Sequence, residues 1–295
     1  MVAEGHYFVG SCVSSSPKLR PDMLTFPNAK LNLGLYITER RPDGFHNLES
    51  VFLPLPWTDA LEILPAEAGH ATSITLTGRP IPGDPATNLC VRAYELLQAD
   101  FPQLPPVQIY LHKIVPIGAG LGGGSADAAF ALKATNDLFG LALSPETLES
   151  YARRLGADCA FFIRNKPVLA VERGDVFQDL DLNLSGTGCV VVYPNLHIST
   201  PEAFAGIKPQ PPKHALRAAL AQPLATWRDT VSNDFEGSLA PKYPVLAEIK
   251  QQLYAAGAAY ASLSGSGSAV YGLWAAGESA PVQWPAEYSV WRGVL

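Results

Sequence analysis

The sequence predicts a two-domain α/β protein, and three observations carry that expectation. At 295 residues, with 47% hydrophobic and 16% charged residues, the chain exceeds one ordinary domain and can bury a real core. A glycine-rich stretch, Pro116 to Ala129, follows the apolar run Val107 to Val115 and opens into a helical pattern reaching about Phe139: strand, loop, helix. From about Asp181 the chain restarts with a strand and a capped helix of its own. The expected division is an extension over 1–22, a first domain over 23–180 and a smaller second domain over 181–295.

A formal net charge of −6 argues against broad nucleic-acid binding, which asks for a basic face, and points to a small-molecule partner. Cys12, Cys90, Cys159 and Cys189 are scattered, without a C-x-x-C pair or a His/Cys cluster at zinc spacing, as expected of buried thiols in a reducing compartment. No run approaches the roughly 18 consecutive apolar residues of a membrane span. A cytoplasmic protein without membrane partners, monomeric or weakly dimeric, is the expectation.

Residues 1–22 show no period and collect serines before Pro17 and Pro21, reading as a flexible, dispensable extension rather than a short targeting peptide. Leu24 to Thr38 alternates Leu31, Leu33 and Leu35 against Lys30, Asn32 and Gly34, which predicts a strand with one buried and one accessible face. Lys30 and Asn32 then share a face, either as plain solvent-facing residues or as a charge and an amide aimed at one space. Pro42-Asp43-Gly44 is a turn, and Phe45 and His46 follow it. That histidine is structural, or it stacks with the aromatic ring and hydrogen-bonds a planar ligand.

Val51 to Leu64 and Ser73 to Thr77 read as strands and Asn88 to Ala99 as a helix with Leu89, Ala93, Leu96 and Leu97 inward. The central loop comes next. Gly118, Gly120, Gly122, Gly123 and Gly124 let the backbone approach a ligand, and the helix that follows offers unpaired N–H groups and the positive end of its dipole to an anion. The lysine and Ser/Thr of a G-x-x-x-x-G-K-[ST] loop are missing, and the acidic ribose partner of a dinucleotide loop is absent near Asn136 to Gly140. The loop reads as a phosphate cradle of a third kind.

Beyond it, Ala128, Leu132, Thr135 and Leu138 mark one helical face, and Ser144-Pro145 starts a helix with a cap and a first-turn proline. Asp158, set between Gly156 and the apolar run to Ile163, needs a cation nearby. Cys159 has no paired base and reads as a buried thiol. In the second half, Cys189 to Tyr193 is a short buried strand, Ser199-Thr200-Pro201 a capped helix start, Pro209 to Pro212 a surface linker and Val245 to Ala256 a helix. Ser262 to Gly272 is a small-residue loop running into a strand, either a turn or a second close backbone approach to a phosphate.

Three of these blocks, the lysine strand, the P-x-x-x-G-L-G loop and the C-terminal glycine loop, resemble the GHMP kinases in the same order. Pro27 to Leu33, Arg41 to His46, Gly118 to Asp127 and Gly156-Ala157-Asp158 resemble the branch that phosphorylates a cytidine diphosphate derivative of methylerythritol, and the likeness runs from about residue 24 onward. It implies an N-terminal nucleotide-binding domain, a C-terminal domain, an active site in the cleft between them, and ATP with Mg2+ as cofactors. It assigns Asp158 as the base and Lys30 as the cation that keeps it ionised. Pro116, Gly118, Ala119, Gly120, Leu121, Gly122, Gly123, Gly124, Ser125 and Ala126 take the ATP phosphates. Asn32, Phe45, His46, Thr200 and Phe204 take the substrate side, with Phe45 and His46 as a cytidine clamp. Phe45 replaces a more usual tyrosine and Cys159-Ala160 a Val-Pro pair, while Gly123-Gly124, where other GHMP kinases carry serines, is characteristic of the diphosphocytidyl branch.

Overall fold

A computed structural model describes residues 23–275 and 282–295; the expected N-terminal extension lies outside the described residues. Where the sequence suggests one strand from Leu24, there are two, β1 (Met23–Thr25) and β2 (Asn28–Arg40), interrupted at Pro27, whose carbonyl accepts the Asp59 N–H at 2.9 Å. The turn closes through Gly44 N–H to the Arg41 carbonyl and leads into β3 (His46–Thr58). The run read as a single strand from Val51 to Leu64 also breaks, at Asp59, before β4 (Ala60–Pro65). It breaks because the two halves serve different sheets.

The chain continues through β5 (Ser73–Gly78), α1 (Leu89–Asp100), β6 (Val107–Lys113), α2 (Gly123–Leu138), α3 (Pro145–Leu155) and α4 (Phe161–Arg164). Next come β7 (Val168–Val171), β8 (Val176–Asp179), β9 (Gly188–Tyr193), α5 (Thr200–Ala205), α6 (Leu216–Leu220), α7 (Trp227–Thr230) and α8 (Asp234–Leu239). The chain ends in α9 (Pro244–Ala255), β10 (Tyr260–Leu263), β11 (Val270–Trp274) and β12 (Ser289–Val294). Ser144 and Ser199 cap α3 and α5 as the sequence puts them, while Asn88, read as the first residue of its helix, stands just outside α1 and accepts the Cys90 N–H as its cap.

The strands form three four-stranded sheets, ordered β1-β4-β6-β5, β2-β3-β7-β8 and β10-β11-β9-β12, with β5 and β6 the one parallel pair among the described strands. Helices α1 to α4 pack on the first sheet around Leu97, Ile109, Leu132 and Phe161. Strand β2 runs through the middle of the packing. It is buried on both faces from Asn28 to Ile37, with Leu31 and Leu33 packed among Val191, Trp227 and Tyr271, and Leu35 and Ile37 among Phe235, Leu239 and Leu253. The accessible face expected from the alternation is therefore absent. The polar residues on that face meet the central glycine loop and the C-terminal loop instead of water.

Candidate active site

The central loop spans β6 to α2 and is fixed by its backbone. Lys30 N–H donates to the Leu121 carbonyl at 2.8 Å, Ala269 N–H to Ala119 at 3.0 Å and the Ser264 hydroxyl to Gly120 at 3.0 Å. It is thus held between β2 and the loop joining β10 to β11. Gly120 has φ +78°, and a Cβ there would lie 2.0 Å from the Ser264 carbonyl oxygen, so only glycine fits. The C-terminal small-residue loop makes its close approach to this loop. At Gly124, by contrast, a Cβ would meet nothing within 4 Å, and Gly122 provides no side-chain cap to α2. The first turn of a 16-residue helix thus borders open space without a side-chain cap.

That space is a cleft of about 750 Å³. Its floor carries Lys30, Asn32 and Asp158; Pro116 to Ser125 form one wall, and Thr200 and Phe204 stand on the other. Leu76, Ile81, Pro82 and Leu89 add apolar surface to its lining. Ala126 does not reach it, being fully buried one step further into α2 against the helical core.

On the floor, Lys30 Nζ donates to Asn32 Oδ1 at 2.5 Å, lies 3.3 Å from Asp158 Oδ2 and sits 4.4 Å from the Phe52 ring centre. The strand supplies the lysine and the turn between α3 and α4 supplies the acid, so the cation that Asp158 calls for comes from a distant segment. Asn32 is tied in turn to the Ser50 hydroxyl through Nδ2 at 2.8 Å, to the Tyr271 hydroxyl through its carbonyl at 2.8 Å and to Ser264 Oγ through its N–H at 3.3 Å.

At the rim the His46 ring stacks on Phe204 at 4.9 Å and 25°, and Phe204 meets Phe235 edge-on. Phe45 is 58% exposed, with the Arg173 guanidinium 5.5 Å from its ring centre. Neither Phe45 nor His46 lines the cleft directly; each leans on a residue that does, Arg173 and Phe204 respectively. Thr200 opens α5 at the same rim. Arg173 has no signature in the sequence beyond its place in a tight turn between β7 and β8.

Residues 88–166 match the family model of the GHMP kinases N terminal domain, and residues 215–289 that of the GHMP kinases C terminal. A 4-diphosphocytidyl-2-C-methyl-D-erythritol kinase of Bacteroides fragilis is 55% identical over 252 residues, covering 85% of this chain and 92% of the relative. One from Cytophaga hutchinsonii is 49% identical over the same shares. The chain belongs to this family of GHMP kinases. A crystal structure of 4-(cytidine 5'-diphospho)-2C-methyl-D-erythritol kinase, 34% identical, superposes with a TM-score of 0.71 over 85% of this chain and 90% of that one. The mevalonate kinase of Methanococcus jannaschii, 14% identical with a TM-score of 0.64, shares the fold.

This GHMP kinase also carries a buried ion cluster that the sequence reading missed. Lys113 Nζ donates to Asp59 Oδ2 at 2.5 Å and to Asp127 Oδ2 at 2.6 Å, and Asp59 Oδ1 accepts the N–H groups of Ile114 and Val115. The cluster underlies the loop: a Cβ on Gly123 would come within 3.0 Å of Lys113 Nζ. Asp127 Oδ1 has no hydrogen-bond partner among the described residues, and desolvation pushes that carboxyl up to about 7 despite Lys113. The signal was present, since Lys113 falls in register with the buried Val107, Ile109 and Leu111, a position a lysine occupies only with acids to meet it. Cys159 is fully buried, and burial raises its thiol to about 11, in keeping with an inert packing role.

Proposed function

We propose that the chain transfers the γ-phosphoryl group of ATP to the C2 hydroxyl of 4-diphosphocytidyl-2-C-methyl-D-erythritol, giving the 2-phosphate and ADP in the non-mevalonate isoprenoid route. The supporting observation is the Lys30–Asp158 pair on the floor of one cleft, with an open helix N-terminus on one side and the His46–Phe204 stack on the other. Kinship to kinases named for that substrate, at 55% identity, supports the same acceptor.

The chemistry follows from position. The glycine loop and the first turn of α2 hold the triphosphate through backbone N–H groups, and the apolar surface at Leu76 and Ile81 takes the base. Asp158, 35% exposed at its side chain, receives the proton of the acceptor hydroxyl, and Lys30 stabilises charge at that oxygen. Phe204, backed by the His46 ring, holds the cytosine at the rim with Phe45 beside Arg173, and Asn32 and Thr200 lie on the sugar-like chain. Magnesium fits this site through the nucleotide, because the space at Gly124 admits phosphates, and phosphates with water satisfy that ion without a protein cage. Bound there, it supplies charge neutralisation on the phosphate oxygens. In this reading the nucleotide side belongs to a domain over 23–180, and the segment from 181 closes the cleft.

The experiment is ADP release with the cytidylated alcohol beside mevalonate. Turnover restricted to the cytidylated alcohol is expected; equal turnover of mevalonate, or none with either, overturns the assignment.

A further inference from the structure

We propose that Ser50 is a positioning residue for phosphoryl transfer, acting through the Asn32 amide on Lys30. The inference rests on the roles proposed above for Lys30 and Asp158. Ser50, on β3, is fully buried and does not line the cleft. Its hydroxyl donates to the Gly34 carbonyl at 2.6 Å and accepts Asn32 Nδ2 at 2.8 Å. The donor direction is set by a bulge: the β2–β3 register passes from Leu33 opposite Val51 to Leu35 opposite Ser50, skipping Gly34, which adopts φ +67° and presents its carbonyl to the serine.

With the serine proton committed to Gly34, only a lone pair is left for Asn32, so the amide must offer its NH2 there and its oxygen to Lys30. A flipped amide would set Nδ2 against Nζ, donor against donor, and would draw the serine proton away from Gly34. The ammonium is thus aimed by Asn32 Oδ1 on one side and Asp158 on the other. A hydroxyl remote from both substrates thereby fixes the direction of the cation that faces the base.

The test is kinetics of Ser50→Ala, Ser50→Thr and the Ser50→Ala/Asn32→Ala pair, with Asp158→Asn run in parallel and melting temperatures recorded. Ser50→Ala is expected to lower kcat by about tenfold, the order one buried hydrogen bond supplies. KM for ATP should stay within about twofold, since no nucleotide contact is removed. Ser50→Thr keeps the hydroxyl and restores the rate, and in an Asn32→Ala background the serine change adds no further loss. Should Ser50→Ala fail to fold, Ser50→Cys, which keeps the volume with a far weaker hydrogen bond, reads the same effect. An unchanged kcat, or a full additional loss without Asn32, overturns the proposal. An inactive Asp158→Asn beside a wild-type-like Ser50→Ala sinks the serine role alone, whereas an active Asp158→Asn sinks the underlying reading.

Discussion

Lys30 and Asp158 meet across the cleft with 3.3 Å between Nζ and Oδ2, the lysine 5% exposed at its side chain and the acid 35%. Burial of the cation and partial exposure of the acid suit a carboxylate that must accept a proton from an incoming hydroxyl. Asp158→Asn keeps the shape and removes the proposed base, so turnover should fall by about 10²–10⁴. Lys30→Met should lower kcat by about 10²–10³, as loss of an electrostatic stabiliser does. Nucleotide binding by calorimetry should survive in Asp158→Asn; a wild-type-like rate of ADP release in either variant removes that residue from the mechanism.

Two glycines of the same loop should respond in opposite directions. Gly120→Ala places a methyl on the Ser264 carbonyl oxygen, which already accepts Gly267 N–H at 3.0 Å, and also forces alanine into positive φ. The left-handed conformation alone costs about 1–2 kcal/mol, so a loss above about 2 kcal/mol is expected in denaturant melts. Gly124→Ala lies in open space on α2 and should gain about 0.5–1 kcal/mol of helix stability while its methyl obstructs the phosphates and raises KM for ATP. A Gly124→Ala enzyme with unaltered KM for ATP would show that the cradle lies elsewhere.

The His46–Phe204 stack sits at the rim, 4.9 Å between ring centres, so its loss should weaken substrate binding without touching the transferred group. His46→Ala should raise KM for the cytidylated substrate by about tenfold, from one stacking and one hydrogen-bonding contact, with kcat close to wild type. A loss carried by kcat instead would move His46 into the chemistry.

What was legible in the sequence was local. The caps at Ser144 and Ser199 and the strand-loop-helix around Gly118 to Gly124 need only neighbours in sequence, and each stands as read. Alternation in β2 told which residues share a face but not what covers it, and that cover comes from the loop around Ser264, a segment remote in sequence. The ion cluster needed three elements at once. Asp59 lay unnoticed inside what read as one strand, Lys113 inside another, and Asp127 in a helix, and only the fold brings the three together. Ser50 carries no signature, since its role depends on a bulge at Gly34 that pattern reading does not reveal.

That cluster makes a pH prediction. One ammonium serves two carboxylates, and Asp59 takes two backbone N–H groups as well, while Asp127 Oδ1 is without a partner among the described residues. Desolvation therefore raises Asp127 from its ordinary 3.8 to about 7. Between those values the folded protein holds a proton that the unfolded chain has released, so this residue stabilises fully below about pH 4, and its contribution is lost as pH rises through about 7. Lys113, raised by the two acids against burial, contributes stability that is lost only above its ordinary 10.5. Asp127→Asn is neutral throughout and keeps an oxygen for Lys113. The melting temperature of wild type minus that of Asp127→Asn should therefore fall as pH is raised from about 4 to about 7 and level off beyond. A flat or rising difference across that window would mean that Asp127 is ionised in the folded protein throughout, with Lys113 and the loop above it bearing the full negative charge.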